Sequence, residues 1–134
     1  MPITRTEAEY EHEHDVEVDN RFPHERLDAY QVARQLLGLV AQHRHALRGL
    51  PGEAGPQLER AVVRVVLNIA EAAGRGSPRD RARVFGIARG EACEAAAALE
   101  VATLLGALST QQSAQARGLL VRLGQMLTRL ARPR

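Results

Sequence analysis

A chain of 134 residues, 45% apolar and 25% charged, is one globular domain's worth of sequence, and with aromatics at 3% and no Trp its core must come from Leu, Val and Ala, which favours packed helices over a sandwich. The formal charge of +2 hides an acidic amino-terminal segment on a basic body: residues 1–20 carry seven acids against Arg5, and residues 21–134 carry seventeen Arg against nine acids, a formal +8 with no lysine. No apolar run approaches the roughly 20 residues that cross a bilayer, and Cys93 is the one cysteine, so a membrane helix and an internal disulfide are excluded.

Residues 1–22 form the first segment. Every odd position from Glu7 to Asp19 is acidic (Glu7, Glu9, Glu11, Glu13, Asp15, Glu17, Asp19), and the even positions carry Ala8, Tyr10, His12, His14, Val16 and Val18. Period two suits an extended strand, but charge this dense with so few apolar residues predicts a flexible tail that becomes extended on contact. The run lacks the apolar core of a signal peptide, so a cytoplasmic protein is expected.

The body, residues 23–134, reads as four helices. Pro23 introduces the first, over 25–48, with Leu27, Tyr30, Ala33, Leu37, Val40 and Ala41 on its apolar face, widened by Leu36 and Leu39. Gly49, Pro51, Gly52 and Gly55 break it. The second, over 56–73, is apolar nearly all round: Ala61, Val62, Val65, Ile69 and Ala73 recur at helical spacing, and Val63, Val66, Leu67 and Ala70 fill much of the remaining circumference. Such a helix is buried on more than one side, in a bundle or between subunits, and Val63, Val66 and Leu67 are the expected oligomer interface. Gly74 and Gly76 end it.

Ser77 as N-cap, Pro78 at the first helical position and Asp80 in the first turn start the third helix, predicted over 78–108. Val84, Ala88, Ala92, Ala95, Leu99, Ala102 and Leu105 line one face. Ser109 with Gln112 makes a capping box for the fourth, over 110–131, whose stripe is Ala116, Leu119, Leu120, Leu123, Met126, Leu127 and Leu130. Short connections predict an all-α, up-down-up-down antiparallel four-helix bundle.

The runs Gln57-Leu58-Glu59-Arg60-Ala61, Asn68-Ile69-Ala70-Glu71, Gly74-Arg75 and Ser77, then Ile87-Ala88-Arg89-Gly90, Glu94 and Leu99-Glu100-Val101-Ala102, resemble the four-helix-bundle family of ribosomal RNA intervening-sequence proteins. The accessory variability protein of diversity-generating retroelements is related to it. The resemblance covers about residues 27–130. It implies a bundle that assembles into a ring-shaped homopentamer without known catalytic activity, and the retroelement relative binds nucleic acid and a reverse transcriptase. The chain departs from the family pattern at Ala72, where glycine is common, at Arg64-Val65-Val66, which replace Ser-Ile-Pro, and at Glu91, which replaces a serine. The acidic tail is no part of that pattern.

Among candidate sites, Asn68 and Glu71 lie one helical turn apart in an apolar helix and need partners. A structural network with Arg64, Arg75 or the carboxylates Glu91 and Glu94 is the weightier reading, and Arg89 belongs to the same family motif. Glu91 and Glu94 lack the Glu-x-x-His partners of a di-metal bundle, so no metal or other cofactor is expected. His12 and His14 would share a side of an extended strand, but flexible ligands make weak metal sites. Cys93 is expected to be a small buried apolar residue. The turn from Gly74 to Ser77 opens a helix whose free N–H groups favour an anion, beside Arg75, Arg79, Arg81 and Arg83. No P-loop lysine follows, so nucleotide hydrolysis is unsupported. In an up-down-up-down bundle Arg129 and Arg132 join this end.

Three readings follow. The first is a non-enzymatic homo-oligomeric bundle that binds RNA or DNA, without sequence preference, through its arginine-rich end. The second is a protein-interaction scaffold whose tail or ring meets a protein partner. The third, an enzyme, is the weakest, for want of a nucleophile–base pair or a metal set.

Overall fold

Ser77 and Ser109 set the two sharpest helix starts. The Ser77 hydroxyl accepts from the Asp80 N–H at 3.1 Å, and Ser109 forms the reciprocal box: its hydroxyl accepts from Gln112 N–H at 3.1 Å and its own N–H donates to Gln112 Oε1 at 2.9 Å. The computed structural model describes residues 20–132. A 3-10 turn, Pro23–Arg26, leads into α1 (Asp28–Gln42) and the short α2 (Arg44–Arg48). A second 3-10 turn, Pro51–Glu53, precedes α3 (Ala54–Ala73), α4 (Pro78–Leu104) and α5 (Thr110–Leu130). Of the acidic segment expected over 1–22, residues 1–19, with the His12 and His14 site, lie outside the described residues.

The first helix starts at Asp28 rather than 25, its lead-in being the 3-10 turn. The second starts at Ala54 rather than 56, with Gly55 inside it rather than breaking the chain, and the fourth ends at Leu130 rather than 131. Two larger differences each have a local reason. The first helix is interrupted at His43, whose φ of −105° and ψ of 14° leave the helical region; the bend turns Leu47 into the core, where it is buried. The third helix ends at Leu104 rather than running to 108. Gly106 takes φ +86°, its N–H donates to Thr103 O at 3.0 Å, and Ala107 N–H donates to Ala102 O at 3.1 Å. That pair of bonds is a Schellman stop, which needs a left-handed residue that glycine supplies without steric cost. Leu105, expected on the core face, thus falls outside the helix and is 46% exposed.

The four long helices form the expected antiparallel bundle. α3 packs chiefly on α4 and α1, and α5 on α4 and α1, so each long helix has two neighbours around one core. Leu36, Leu58, Val62, Val65, Ile69, Val84, Leu123 and Leu127 are the largest fully buried side chains; truncating any of the leucines to Ala would cost about 2–5 kcal/mol. On α4 the inward face is mostly alanine (Ala88, Ala92, Ala95, Ala102), which lets its neighbours approach closely. In α1 the core centres on Val32, Ala33, Leu36 and Val40, while Leu37 and Leu39 are only half-buried and Ala41 is exposed. α4 is about 40 Å long at 1.5 Å per residue. Among the described residues no helix is long and apolar enough to cross a membrane.

Candidate functional site

The antiparallel topology gathers the start of α1, the end of α3, the start of α4 and the end of α5 at one end of the bundle. Six predicted site arginines come to this end, and the structure divides them. Arg75 is held by carboxylates: it donates to Glu71, one turn back on α3, and lies 3.5 Å from Asp80. The hydrogen bond to Glu71, then the charges of Asp80 and Glu71, raise its pKa further and fix it as a cation. Arg83 donates to Asp80 at 3.0 Å. Asp80, placed in the first turn where a helix favours an acid, therefore pairs with two of the cations around it.

Arg81, Arg129 and Arg132 are arranged differently. With Pro78, Phe85 and Leu130 they line one open cavity of about 340 Å³. Phe85 is buried and makes an apolar floor, and Arg81 is anchored by donating to the Arg75 carbonyl at 3.0 Å. A second cavity of about 330 Å³, lined by Arg26, Leu27, Asp28, Ala29, Met126, Arg129 and Leu130, shares Arg129 and Leu130 with the first. Together they make a furrow from the start of α1, across the end of α5, to the first turns of α4. Among the described residues no carboxylate pairs with Arg79, Arg129 or Arg132. Guanidinium groups converging without counter-ions suit oxyanions such as phosphate.

The family-motif polar residues separate into two groups. Glu71 belongs to the Arg75 pair. Glu91 and Glu94 on α4 form a second cluster with Arg64 on α3. One oxygen of Glu91, Oε2, is cut off from water and has no hydrogen-bond partner among the described residues. Burial, then the charge of Glu94 and a hydrogen bond with it, raise the Glu91 pKa against the opposing pull of Arg64. Asn68, half-buried, and Arg89, exposed, take part in neither set of pairs among the described residues. Among the described residues no three His, Cys, Asp or Glu side chains cluster as a metal site.

Of the expected interface residues on α3, Val66 packs against the core and Val63 is half-buried, whereas Leu67 is 62% exposed. Sequence reasoning missed the outward face of α4: Ile87, Gly90, Glu94, Ala97, Val101 and Leu104, all exposed, recur at alternating spacings of three and four. That is the spacing of a helix seam, and it was hidden because apolar and small residues occupy both faces of α4. Cys93 corrects another expectation. It is exposed, not buried, since its neighbours Ala92 and Ala95 take the inward positions; it lies in an apolar groove between α4 and α5 with Arg117 and Val121.

No curated protein matches the chain. One protein family, described as 23S rRNA-intervening sequence protein, matches residues 25–129.

Proposed function

The chain belongs to the 23S rRNA-intervening sequence protein family, and on that premise we propose that it is a non-catalytic, self-associating helical bundle that binds RNA or DNA through its arginine furrow. The observation that carries the reading is the convergence of Arg81, Arg129 and Arg132 on one open cavity, with Arg129 and Arg132 free of carboxylate partners among the described residues. Such a site meets phosphates and reads no base edges, so recognition is electrostatic and indifferent to sequence.

Self-association is supported by the exposed seam on α4 together with Leu67. Because the charge of Arg64 acts on Glu91, the turns carrying them are neighbours. One turn along the antiparallel pair, Leu67 and Ile87 extend the same outward face. Large apolar side chains exposed along one helix face in this way mark an interface. The assembly proposed is a ring of five, as the family resemblance implies, in the cytoplasm. A second reading, a scaffold for a protein partner without nucleic acid, is favoured by the same seam if a different chain covers it.

Fluorescence anisotropy with labelled mixed-sequence RNA and DNA tests the first reading. Three phosphate contacts per subunit give a log–log salt slope of about −2 to −2.7, a loss of roughly 20- to 40-fold between about 50 and about 200 mM salt. Absence of binding at the lower salt both by the intact protein and by a form whose seven acids from Glu7 to Asp19 are replaced by amides, or binding that ignores salt, removes the nucleic-acid role and leaves the scaffold.

A further inference from the structure

The furrow has a candidate occupant within the chain itself. The described backbone begins at Asn20, six residues before Arg26 on the furrow's rim. A segment of 19 residues reaches about 60 Å when extended, whereas the furrow crosses two helix spacings, about 20 Å. Reach is therefore no obstacle. In extended backbone, side chains alternate between faces and residues two apart stand about 7 Å from one another. The odd-numbered acids from Glu7 to Asp19 would then form a single ladder of seven carboxylates, spaced like the phosphates of an extended nucleic-acid strand. The charges are complementary: the furrow presents Arg81, Arg129 and Arg132, and among the described residues Asp28 is the one acid in its lining.

We propose that the acidic segment of each chain, residues 1–19, docks along its own arginine furrow and competes there with phosphates. The docking rests on geometry and charge alone; the competition rests in addition on the nucleic-acid reading above. Tethering next to the site gives the segment a millimolar effective concentration, enough for a weak electrostatic contact to hold. Free nucleic acid would have to displace it, so weak, non-specific binding is suppressed and only a longer or more highly charged partner gains the surface.

The test uses the full-length protein. The chain has no Trp, so Tyr10→Trp places a single reporter among the acids. Its anisotropy is expected to be high at about 50 mM salt and to fall by about 500 mM, where screening is strong. Adding Arg129→Ala and Arg132→Ala should remove at least about half of that difference. Equal low-salt anisotropy with and without these two arginines overturns the docking. A second full-length variant carries Gln at Glu7, Glu9, Glu11, Glu13 and Glu17 and Asn at Asp15 and Asp19. It should bind mixed-sequence single-stranded DNA of about 20 nucleotides at least about threefold more tightly at low salt, with the gain fading as salt rises. Equal affinity of the two proteins for the oligonucleotide overturns the competition. A reporter that responds to the arginines, in a protein that binds no oligonucleotide with or without its acids, upholds the docking and removes the nucleic-acid role.

Discussion

Gly55 and Leu47 touch backbone to backbone at the corner where α2 turns into α3: a Cβ at position 55 would stand 2.0 Å from the Leu47 carbonyl oxygen and 2.5 Å from its carbon. No side chain fits there without moving backbone, and the corner also seats the buried side chain of Leu47. Gly55→Ala should therefore destabilise the protein by about 2–4 kcal/mol, in the range of severe overpacking. The nearby Gly49, where an added Cβ would come no closer than 3.6 Å to Ala46 O, is the matched control. Urea denaturation of the two variants checks this, and equal midpoints would contradict the close approach.

The Glu91 carboxyl makes stability depend on pH. Burial and the adjacent Glu94 raise its pKa in the folded protein, so the folded state binds this proton more tightly than the unfolded chain does. By linkage, stability then falls as pH rises from the ordinary carboxylate value of about 4.3 through the raised one. Glu91→Gln keeps the shape without the charge. It should stabilise the protein by up to about 1 kcal/mol at pH 7, and the gain should vanish near about pH 3, where Glu91 is protonated in both states. Thermal melts at the two pH values measure this; a gain independent of pH would show that charge is not the cause.

Leu67 and Ile87 are 62% and 45% exposed in the isolated subunit. Replacing both by Glu should change subunit stability by no more than about 0.5 kcal/mol each, while the mass in solution falls to the 14.7 kDa of one chain. Val63 is a poorer probe because it is half-buried. Light scattering with circular dichroism separates dissociation from unfolding. A variant that keeps its assembled mass, or a parent protein that is already monomeric, would move the seam to another role.

Much of this architecture is legible in the sequence because helices carry their signals locally. The caps at Ser77 and Ser109 and the inward stripe from Val84 to Ala102 are set by residues three or four apart, and they stand where spacing places them. The misreadings arise where tertiary context decides. The core face of the first helix centres on Leu36 rather than Leu37 because its neighbours α3 and α5 meet it there, and a left-handed Gly106 stops the third helix before Leu105. At the arginine end the topology predicts which residues gather. It cannot predict which of them are already paired, since Asp80 chooses Arg75 and Arg83 through side-chain geometry. The six arginines expected at that end therefore divide into those held by carboxylates and those that are not.

That division is itself testable. Arg129→Ala with Arg132→Ala removes two guanidinium groups that no carboxylate holds among the described residues, and neither makes a hydrogen bond that the bundle needs. Removing one phosphate-binding cation lowers the salt slope by about 0.7 for single strands and about 0.9 for duplex DNA. The double variant should therefore flatten the slope by between about one and two and weaken every sequence alike. Arg75→Ala with Arg83→Ala removes the same formal charge from the same end, but those side chains are committed to Glu71 and Asp80. Their loss should leave the slope within about half a unit of the parent's, and its cost should appear in the melting temperature, through the broken link between the end of α3 and the start of α4. Anisotropy titrations over a salt series, run beside thermal melts of all three proteins, compare the two pairs. Equal slopes for the two double variants would mean that phosphates strip Arg75 and Arg83 from their carboxylates, and that the binding surface is the whole arginine end.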